Sequence, residues 1–484
     1  MELIVLLGLP FFMGMVVFFV NQDRFKKILF LSTTSLHLLT TMSFWQRKPH
    51  DVQFNAFLGF DALSLLILGL VSILFFAVSI YLIGFLKEEE HRSNRIFIAC
   101  LLCLLSAMTL VTLSRHMGLL WIAIETATLL SAPSINFYRN PRSIEATWKY
   151  LLISSIGVAL ALLGTLFLGV SATTIKTVFL ENILNNAASL SPSWLKLSII
   201  FLIVGYGTKM GLAPMHTWKP DAYGEAPAPV GAIMSGALTG CAFLAIFRVT
   251  QICFHAHLEK FVSPIFILLG LLSLGIAAIF ILGQKDFNRM LGYSSVEHMG
   301  ILVLGLGLGG GAIWASLFHA VNNAFAKGLI FLVAGNLYQN FRSKKVSAEG
   351  GPAAGGEIIR GVIHQLPATG LFLILGFIVI AGFPPFGIFY SELLILKEAI
   401  LTQRYMIVFL YFLFLSVIFW GFSEVILGMA FGKPADNAPP KIKKENIFTI
   451  IPLAILTFVL LFSGVFVPQF LYDLINEASA LLGG

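Results

Sequence analysis

Apolar runs about as long as a bilayer is thick recur along this chain, each closed by a short polar cluster. A helix needs about 20 predominantly apolar residues to cross the hydrocarbon layer. Fourteen such runs can be drawn, at about 2–20, 28–44, 58–86, 96–114, 117–137, 149–172, 193–217, 228–254, 261–283, 290–308, 311–340, 364–396, 403–431 and 446–472. The pattern predicts an all-α polytopic membrane protein with about 14 transmembrane helices. The divisions at 114–117 and 308–311 rest on the fewest polar residues. No small-residue cleavage site follows the first run, so it reads as a retained helix.

Two runs are interrupted. The seventh, FLIVGYGTKMGLAPMHTWKPD (Phe201–Asp221), carries Lys209, breaks at Gly211 and Pro214, and presents His216 seven residues past the lysine. On an unbroken helix, positions seven apart share a face, so Lys209 and His216 are expected to line one side. The twelfth breaks at Gly382-Phe-Pro384-Pro385-Phe-Gly387, with Glu392 shortly after. Backbone freed from the helical ladder is tolerated in a membrane where it is buried in protein or lines water. Breaks about 170 residues apart, each near a charge, point to repeats that meet at a midplane site. The expected layout is an N-terminal unit 1–95, a repeat of spans 4–8 over 96–254, a second of spans 9–13 over 261–431, and a C-terminal unit 446–484. Five helices per repeat is an odd number, so the second copy is inverted.

Polar groups inside the spans carry the candidate chemistry. A lysine at the bilayer centre costs roughly 2.5–3.5 kcal/mol on insertion scales, so such residues are usually paired and functional. Glu125 lies in the fifth span, within WIAIETATLLSAP. Burial and pairing act in opposite senses on the protonation of a carboxyl and an amine, so a couple of Glu125 with Lys209 could trade a proton on small changes of distance. His319, Asn323 and Lys327, spaced four and four, form one polar stripe on the eleventh span. Glu297 and His298 fall just inside the tenth, where a water-filled entrance or snorkelling to the interface is expected.

Other features have plainer readings. Asp61 is expected to cap the third span, His37 to bond a neighbouring carbonyl, and Lys219–Val230 to form a re-entrant connection. Cys100-x-x-Cys103 lies in an apolar helix, where buried thiols are ordinary. Gly305-x-Gly307-x-x-Gly310 has the spacing of a dinucleotide fingerprint but follows no strand, so it reads as a tight apolar turn.

Composition agrees: 58% of residues are hydrophobic, 11% are charged and the mean hydropathy is +0.90, against about 25% charged in soluble domains. Of 31 lysines and arginines, with those near the ends of a run assigned to the adjoining connection, 20 fall after odd-numbered spans, nine after even-numbered ones, and two, Lys209 and Lys327, inside spans. Positive charge marks the cytoplasmic side, which places the clusters around Arg24, Lys87 and Arg92, Arg139, Arg342, and Lys433 with Lys441 and Lys443 inside the cell and both termini outside. This bias accounts for the net charge of +7 and gives no support to nucleic-acid binding.

Four stretches in order, KMGLAPMHTWKPDAYGEAPAP, DFNRMLGYSSVEHMG, HAVNNAFAKGLIFLVAGN and GFPPFGIFYSE, resemble the antiporter-like proton-channel subunits of respiratory complex I, Mrp-type cation/proton antiporters and membrane-bound hydrogenases. WIAIETATLLSAP and SSVEHMG are most similar to component F of hydrogenase 4 and formate hydrogenlyase complexes. The resemblance spans about the third to the thirteenth helix. It implies proton translocation through Glu125 paired with Lys209, Lys327 as central lysine, Glu392 as terminal acid, and His216 and His319. Glu297 and His298 stand at the possible entrance. It also implies other membrane subunits and a peripheral nickel–iron hydrogenase-type module as partners, in the cell membrane, with a sodium/proton antiporter subunit, a complex I subunit and a scaffold with a disabled channel as the rival readings. No metal, flavin or quinone motif is present, so no cofactor or catalytic residue is expected in this chain. Departures from the family pattern are Gly240 for an eighth-helix lysine, Asn323 and Tyr223 for histidines, and Asn288 for a lysine.

Overall fold

Eleven of the described helices are long and apolar enough to cross a bilayer, and shorter or broken helices fill the three remaining predicted spans. The computed structural model describes residues 2–47, 51–88, 94–173, 175–346, 358–433 and 444–482. Arg92, Lys441 and Lys443, counted above with cytoplasmic clusters, lie outside the described residues. In chain order the elements are α1 Leu9–Phe19, preceded by one π turn, α2 Asp23–Arg47, and a short antiparallel hairpin of β1 Asp51–Gln53 with β2 Gly59–Asp61. Next come α3 Ala62–Glu88, α4 Arg95–Leu113, α5 Met117–Ile135, α6 Pro141–Ser171, α7 Leu180–Asn185 and α8 Pro192–Met210. Then follow α9 Trp218–Glu225, α10 Ala228–Ile233 running through a π turn into α11 Thr239–His255, α12 Glu259–Ile281, α13 Phe287–Leu308 and α14 Gly311–Phe341. The chain closes with α15 Val362–Gln365, α16 Pro367–Ile380, α17 Gly387–Leu401, α18 Tyr405–Phe431, α19 Ile447–Val465 and α20 Gln469–Ala480.

Local sequence sets these boundaries. Asn140 and Ser143 form a reciprocal capping box at the start of α6, with Pro141 at its first position. Asp286 accepts the Arg289 backbone N–H at 2.9 Å, which starts α13 three residues before the predicted boundary. Gly309 and Gly310, at φ +77° and +53°, turn the chain from α13 into α14; of the three glycines expected to make that turn only Gly310 does so, because Gly305 and Gly307 lie within α13. The segment after Lys219 is not an open re-entrant loop, because Trp218–Glu225 winds into α9 and only Ala226 and Pro227 separate it from α10.

The burial of the spans is unequal. The apolar stretches of α13 and α14 are buried, whereas α6, α12, α18 and α19 expose large apolar side chains. The two helices bearing Glu297, His298, His319 and Lys327 are therefore the innermost. His37 bonds the hydroxyls of Thr109 and Ser72, at 2.9 and 3.0 Å, rather than a carbonyl.

Asp61 does cap α3, accepting the Ser64 N–H at 3.0 Å, but it also accepts a two-pronged bond from Arg248 at 2.6 and 2.8 Å. Arg248, counted among the connection cations, is 3% exposed and also donates to Ser64 and Gln251. Burial by itself would raise the Asp61 carboxyl, but the Arg248 charge and fork outweigh it and hold the group at about 2 against an ordinary 3.8. A depressed folded-state value gives stability that is complete above pH about 4 and is lost as pH falls toward 2. Breaking a buried pair from one side leaves an uncompensated charge, which costs about 3–5 kcal/mol. Arg248→Met should therefore lower thermal stability in detergent clearly, and adding Asp61→Leu should restore part of the loss. Equal melting of Arg248→Met and wild type would remove this clamp from the account.

Candidate functional site

At Gly211, φ +78°, the seventh span turns out of α8; the N–H groups of Gly211 and Leu212 both return to the Gly207 carbonyl, at 2.8 and 2.9 Å. The Ala213–Pro214 bond is cis. Two neighbours satisfy the freed backbone: Ser273 of α12 accepts the Ala213 N–H at 2.9 Å, and the Trp218 indole donates to the Thr208 carbonyl at 2.9 Å. His216 consequently lies beyond the end of α8, in the turn, 6.3 Å from the Tyr293 ring between centroids. The expectation that it shares a helical face with Lys209 fails because the helix ends at Met210.

Lys209 is buried and donates to the Tyr150 hydroxyl at 2.6 Å, with its ammonium 4.7 Å from the ring centroid. Tyr150 meets Ser131 at 2.6 Å, and Ser131 donates to the Thr128 carbonyl. Ser131 has one proton, so Tyr150 donates to it while accepting from the lysine. The expected direct couple is absent: Glu125 accepts from Ser155 at 3.3 Å, its other carboxylate oxygen has no partner, and the Tyr150–Ser131 chain lies between the lysine and the helix of the glutamate. Tyr150, on α6, takes the place that the acid was expected to hold.

The second cluster joins α13, α14 and α17. Lys327 donates to the Ser294 hydroxyl at 2.5 Å, and Ser294 donates to Glu297 at 3.2 Å. His298 Nδ1 lies 3.0 Å from His319 Nε2, and His319 Nδ1 lies 2.9 Å from the Ser391 hydroxyl, which itself donates to the Ile388 carbonyl. Since Ser391 has spent its proton, neutral rings place N–H on His319 Nδ1 and on His298 Nδ1, and leave His298 Nε2 as an acceptor without a partner. Glu297 and His298 are not at an entrance. They sit ten and eleven residues into a 22-residue helix, 3% and 0% exposed, about 15 Å along its axis. The stripe on α14 is as expected, with Asn323 buried between His319 and Lys327 and its carbonyl oxygen unpartnered.

The twelfth span breaks between α16 and α17, at Gly382, φ +66°, and at a cis Pro384–Pro385 bond. Gly464 of α19 lies against this break, where a Cβ would come within 2.7 Å of the Gly387 nitrogen. Glu392 packs its carboxylate on Gly382 and faces both a roughly 30 Å³ cavity shared with Glu297 and a wider cleft of about 280 Å³ lined by Tyr411 and Phe419. His298, His319 and Glu392 each bring one ligand atom to within 4.8 Å of the others, the only geometry among the described residues that could approach a metal ion. Three of the four imidazole nitrogens, however, are engaged with each other and with Ser391, and only His298 Nε2 is open, an arrangement suited to relaying protons.

Lys219, assigned by the sequence to a connection, is fully buried beside the second cluster and donates to the Ser295 hydroxyl at 2.9 Å. Neither it nor Tyr150 and Ser294 stands out in the sequence; the available signal for Lys219 is its place directly after the mostly apolar stretch Ala213–Trp218. Gly240 is no tight helix contact, since a Cβ there would meet only Ile67, at 3.9 Å. Gly211 is the opposite case. A Cβ would strike the Lys219 stem, and its φ costs a non-glycine residue about 1–2 kcal/mol. Gly211→Ala should therefore reduce the yield and melting temperature of folded protein, whereas Gly240→Ala should change neither; equal behaviour of the two would contradict this packing.

The sequence matches the family described as NADH:quinone oxidoreductase/Mrp antiporter, transmembrane, over residues 114–419. It is 33% identical over 358 residues to a hydrogenase-4 component F homolog of Methylacidiphilum infernorum, an overlap of 71% of this chain and 73% of that one. It is 25% identical over 491 residues to a putative antiporter subunit, mnhD2, of Staphylococcus aureus, covering 98% and 94%. Its fold superposes on a chain of an archaeal respiratory complex, the membrane-bound sulfane sulfur reductase, with a TM-score of 0.87 and 20% identity over 99% of this chain and 97% of the other. With a family match across well over half its length and a one-third-identical relative, the chain belongs to the NADH:quinone oxidoreductase/Mrp antiporter transmembrane family.

Proposed function

We propose that this chain is a proton-translocating subunit of a multisubunit, redox-driven membrane complex, and that the complex is of the hydrogenase-linked kind. The observation that carries the proposal is the pair of buried polar clusters, one at each half of the molecule, in which Lys209 and Lys327 are each held by a hydroxyl. A hydroxyl accepts from an ammonium and donates to a neutral amine, so each lysine keeps a partner whether or not it holds a proton. In this reading Lys209, biased by Glu125 and His216, passes a proton inward toward Lys327, and His298, His319 and Glu392 pass it on toward the cleft beside α17. The 33% identity to a hydrogenase-4 component F homolog supports the hydrogenase link, with other membrane subunits and a peripheral nickel–iron module as partners. The lysine and arginine bias supports a cell-membrane orientation with both termini outside.

A sodium/proton antiporter subunit is the second reading, favoured by the near full-length match to the putative antiporter subunit. A sodium site wants several oxygen ligands gathered together. Glu125 lies with the first cluster and Glu297 with Glu392 at the second, among amines and imidazoles, which speaks for H⁺.

Lys209→Ala, measured in proteoliposomes and normalised to assembled complex, should lower proton pumping by about 10²-fold or more. Glu125→Gln should act in the same direction. Lys209→Arg should fail as well, because a guanidinium stays protonated and cannot relay. Near wild-type pumping by Lys209→Ala would sink the route. For the ion, pumping should persist with sodium removed; strict sodium dependence that survives a protonophore would favour the antiporter reading instead.

A further inference from the structure

We propose that Lys219 is a proton-carrying residue that joins the Lys209 and Lys327 clusters, an inference that rests on the function proposed above. Three features separate it from a structural lysine. Its ammonium is fully buried, whereas a lysine kept for solubility or packing turns its head to water and buries only the stem. No carboxylate lies within ion-pair distance of it among the described residues, and its partners are the Ser295 hydroxyl at 2.9 Å and the Ser295 carbonyl at 3.4 Å. It is also the second residue of α9, where the partial positive charge of a helix N-terminus opposes a cation. Fold stability alone gives no reason to keep an ammonium there, and ionisable residues inside a membrane are functional by default.

Its position connects the two halves. The Lys219 stem lies across Gly211, the residue that ends the helix carrying Lys209, and a Cβ at Gly211 would collide with it. On that side Trp218 packs at 5.0 Å, centroid to centroid, on Tyr150, which holds Lys209. The Lys219 ammonium stands 5.9 Å from the ring of the buried Tyr223. On the other side Ser295 is the chain neighbour of Ser294, which holds Lys327. The titratable groups of this interior are thus Tyr150 and Tyr223 on one flank, Lys327, Glu297 and His298 on the other, with Lys219 between them. The step is a plain proton transfer: an N–H bond breaks on the donor amine and forms on the acceptor. A serine hydroxyl on the way releases its own proton as it takes the incoming one. The positive charge moves with the proton and nothing is oxidised or reduced.

The test compares Lys219→Met, which keeps the stem on Gly211 and removes the amine, with Lys219→Arg, which keeps a charge that cannot be released. Redox-driven proton uptake is measured in proteoliposomes of the whole complex, per assembled complex, beside Lys209→Arg and Lys327→Arg. Both Lys219 variants are expected to assemble and to lose about 10²-fold in pumping, as the two controls do. Pumping by Lys219→Arg near the wild-type rate, with both controls stopped, would overturn the role of Lys219 and leave the proposed function standing. Pumping by the controls as well would overturn the proposed function itself. Failure of both Lys219 variants to assemble, with the controls assembled, would make Lys219 a structural residue and also end the proposal.

Discussion

Three ammonium groups buried without a carboxylate in contact among the described residues are the constraint on which the interior is built. Lys209, Lys219 and Lys327 each end on a hydroxyl, from Tyr150, Ser295 and Ser294 respectively. Burying a cation is tolerable only if its remaining hydrogen-bonding capacity is met, and a direct ion pair would meet it most strongly. It would also hold the proton most strongly. A neutral oxygen contributes less to stability, yet stays a partner in both protonation states. The innermost helices α13 and α14 supply half of these six groups, and α6, α12, α18 and α19 turn large apolar side chains outward around them.

The broken spans make room for this arrangement. Each break frees backbone groups that lipid could not satisfy, and each is closed by another helix. Ser273 and Trp218 take up the groups freed at Gly211, while Gly464 lets α19 lie directly on the Pro385–Gly387 turn. Asn322 of α14 packs on Gly387 and accepts from Ser463 of α19, so the second break is tied to the helix that carries His319 and Lys327. A glycine at each break therefore serves two ends, a backbone direction and a close approach by a side chain, Lys219 at one and Glu392 at the other.

Much of the architecture was legible in the sequence because its signals are local. Span length follows from the thickness of the bilayer, and the breaks announce themselves as Gly and Pro. The errors came where local rules were extended too far. His216 was placed on a helix that Gly211 had already ended. Glu297 and His298 were placed at an entrance because the apolar run starts at about 290, although the Asp286 cap starts the helix earlier and carries both residues to its middle. Lys219 and Arg248 were counted as loop cations since charge beside proline, or at the end of an apolar run, usually means a surface. Tyr150, Ser294 and Ser295 could not be read at all: hydroxyls in helices are common, and what distinguishes these three is a partner 33 to 76 residues away in the chain.

Ser294 shows how such a partner can couple two sites. Its single hydroxyl proton goes to Glu297 while its oxygen takes the Lys327 ammonium. Were Lys327 to give up a proton and turn its lone pair toward Ser294, the hydroxyl would have to rotate to donate to it, and Glu297 would lose that donor. Conversely, a proton arriving on Glu297 makes the carboxyl a donor itself and frees the serine to serve the amine. One rotor thus links the protonation of an acid and a base that do not touch. In the proposed route, that linkage would let a charge arriving at Lys327 be felt at Glu297 and, across the small cavity they share, at Glu392. The coupling needs no displacement of a helix, only the rotation of a hydroxyl on a buried stretch of one.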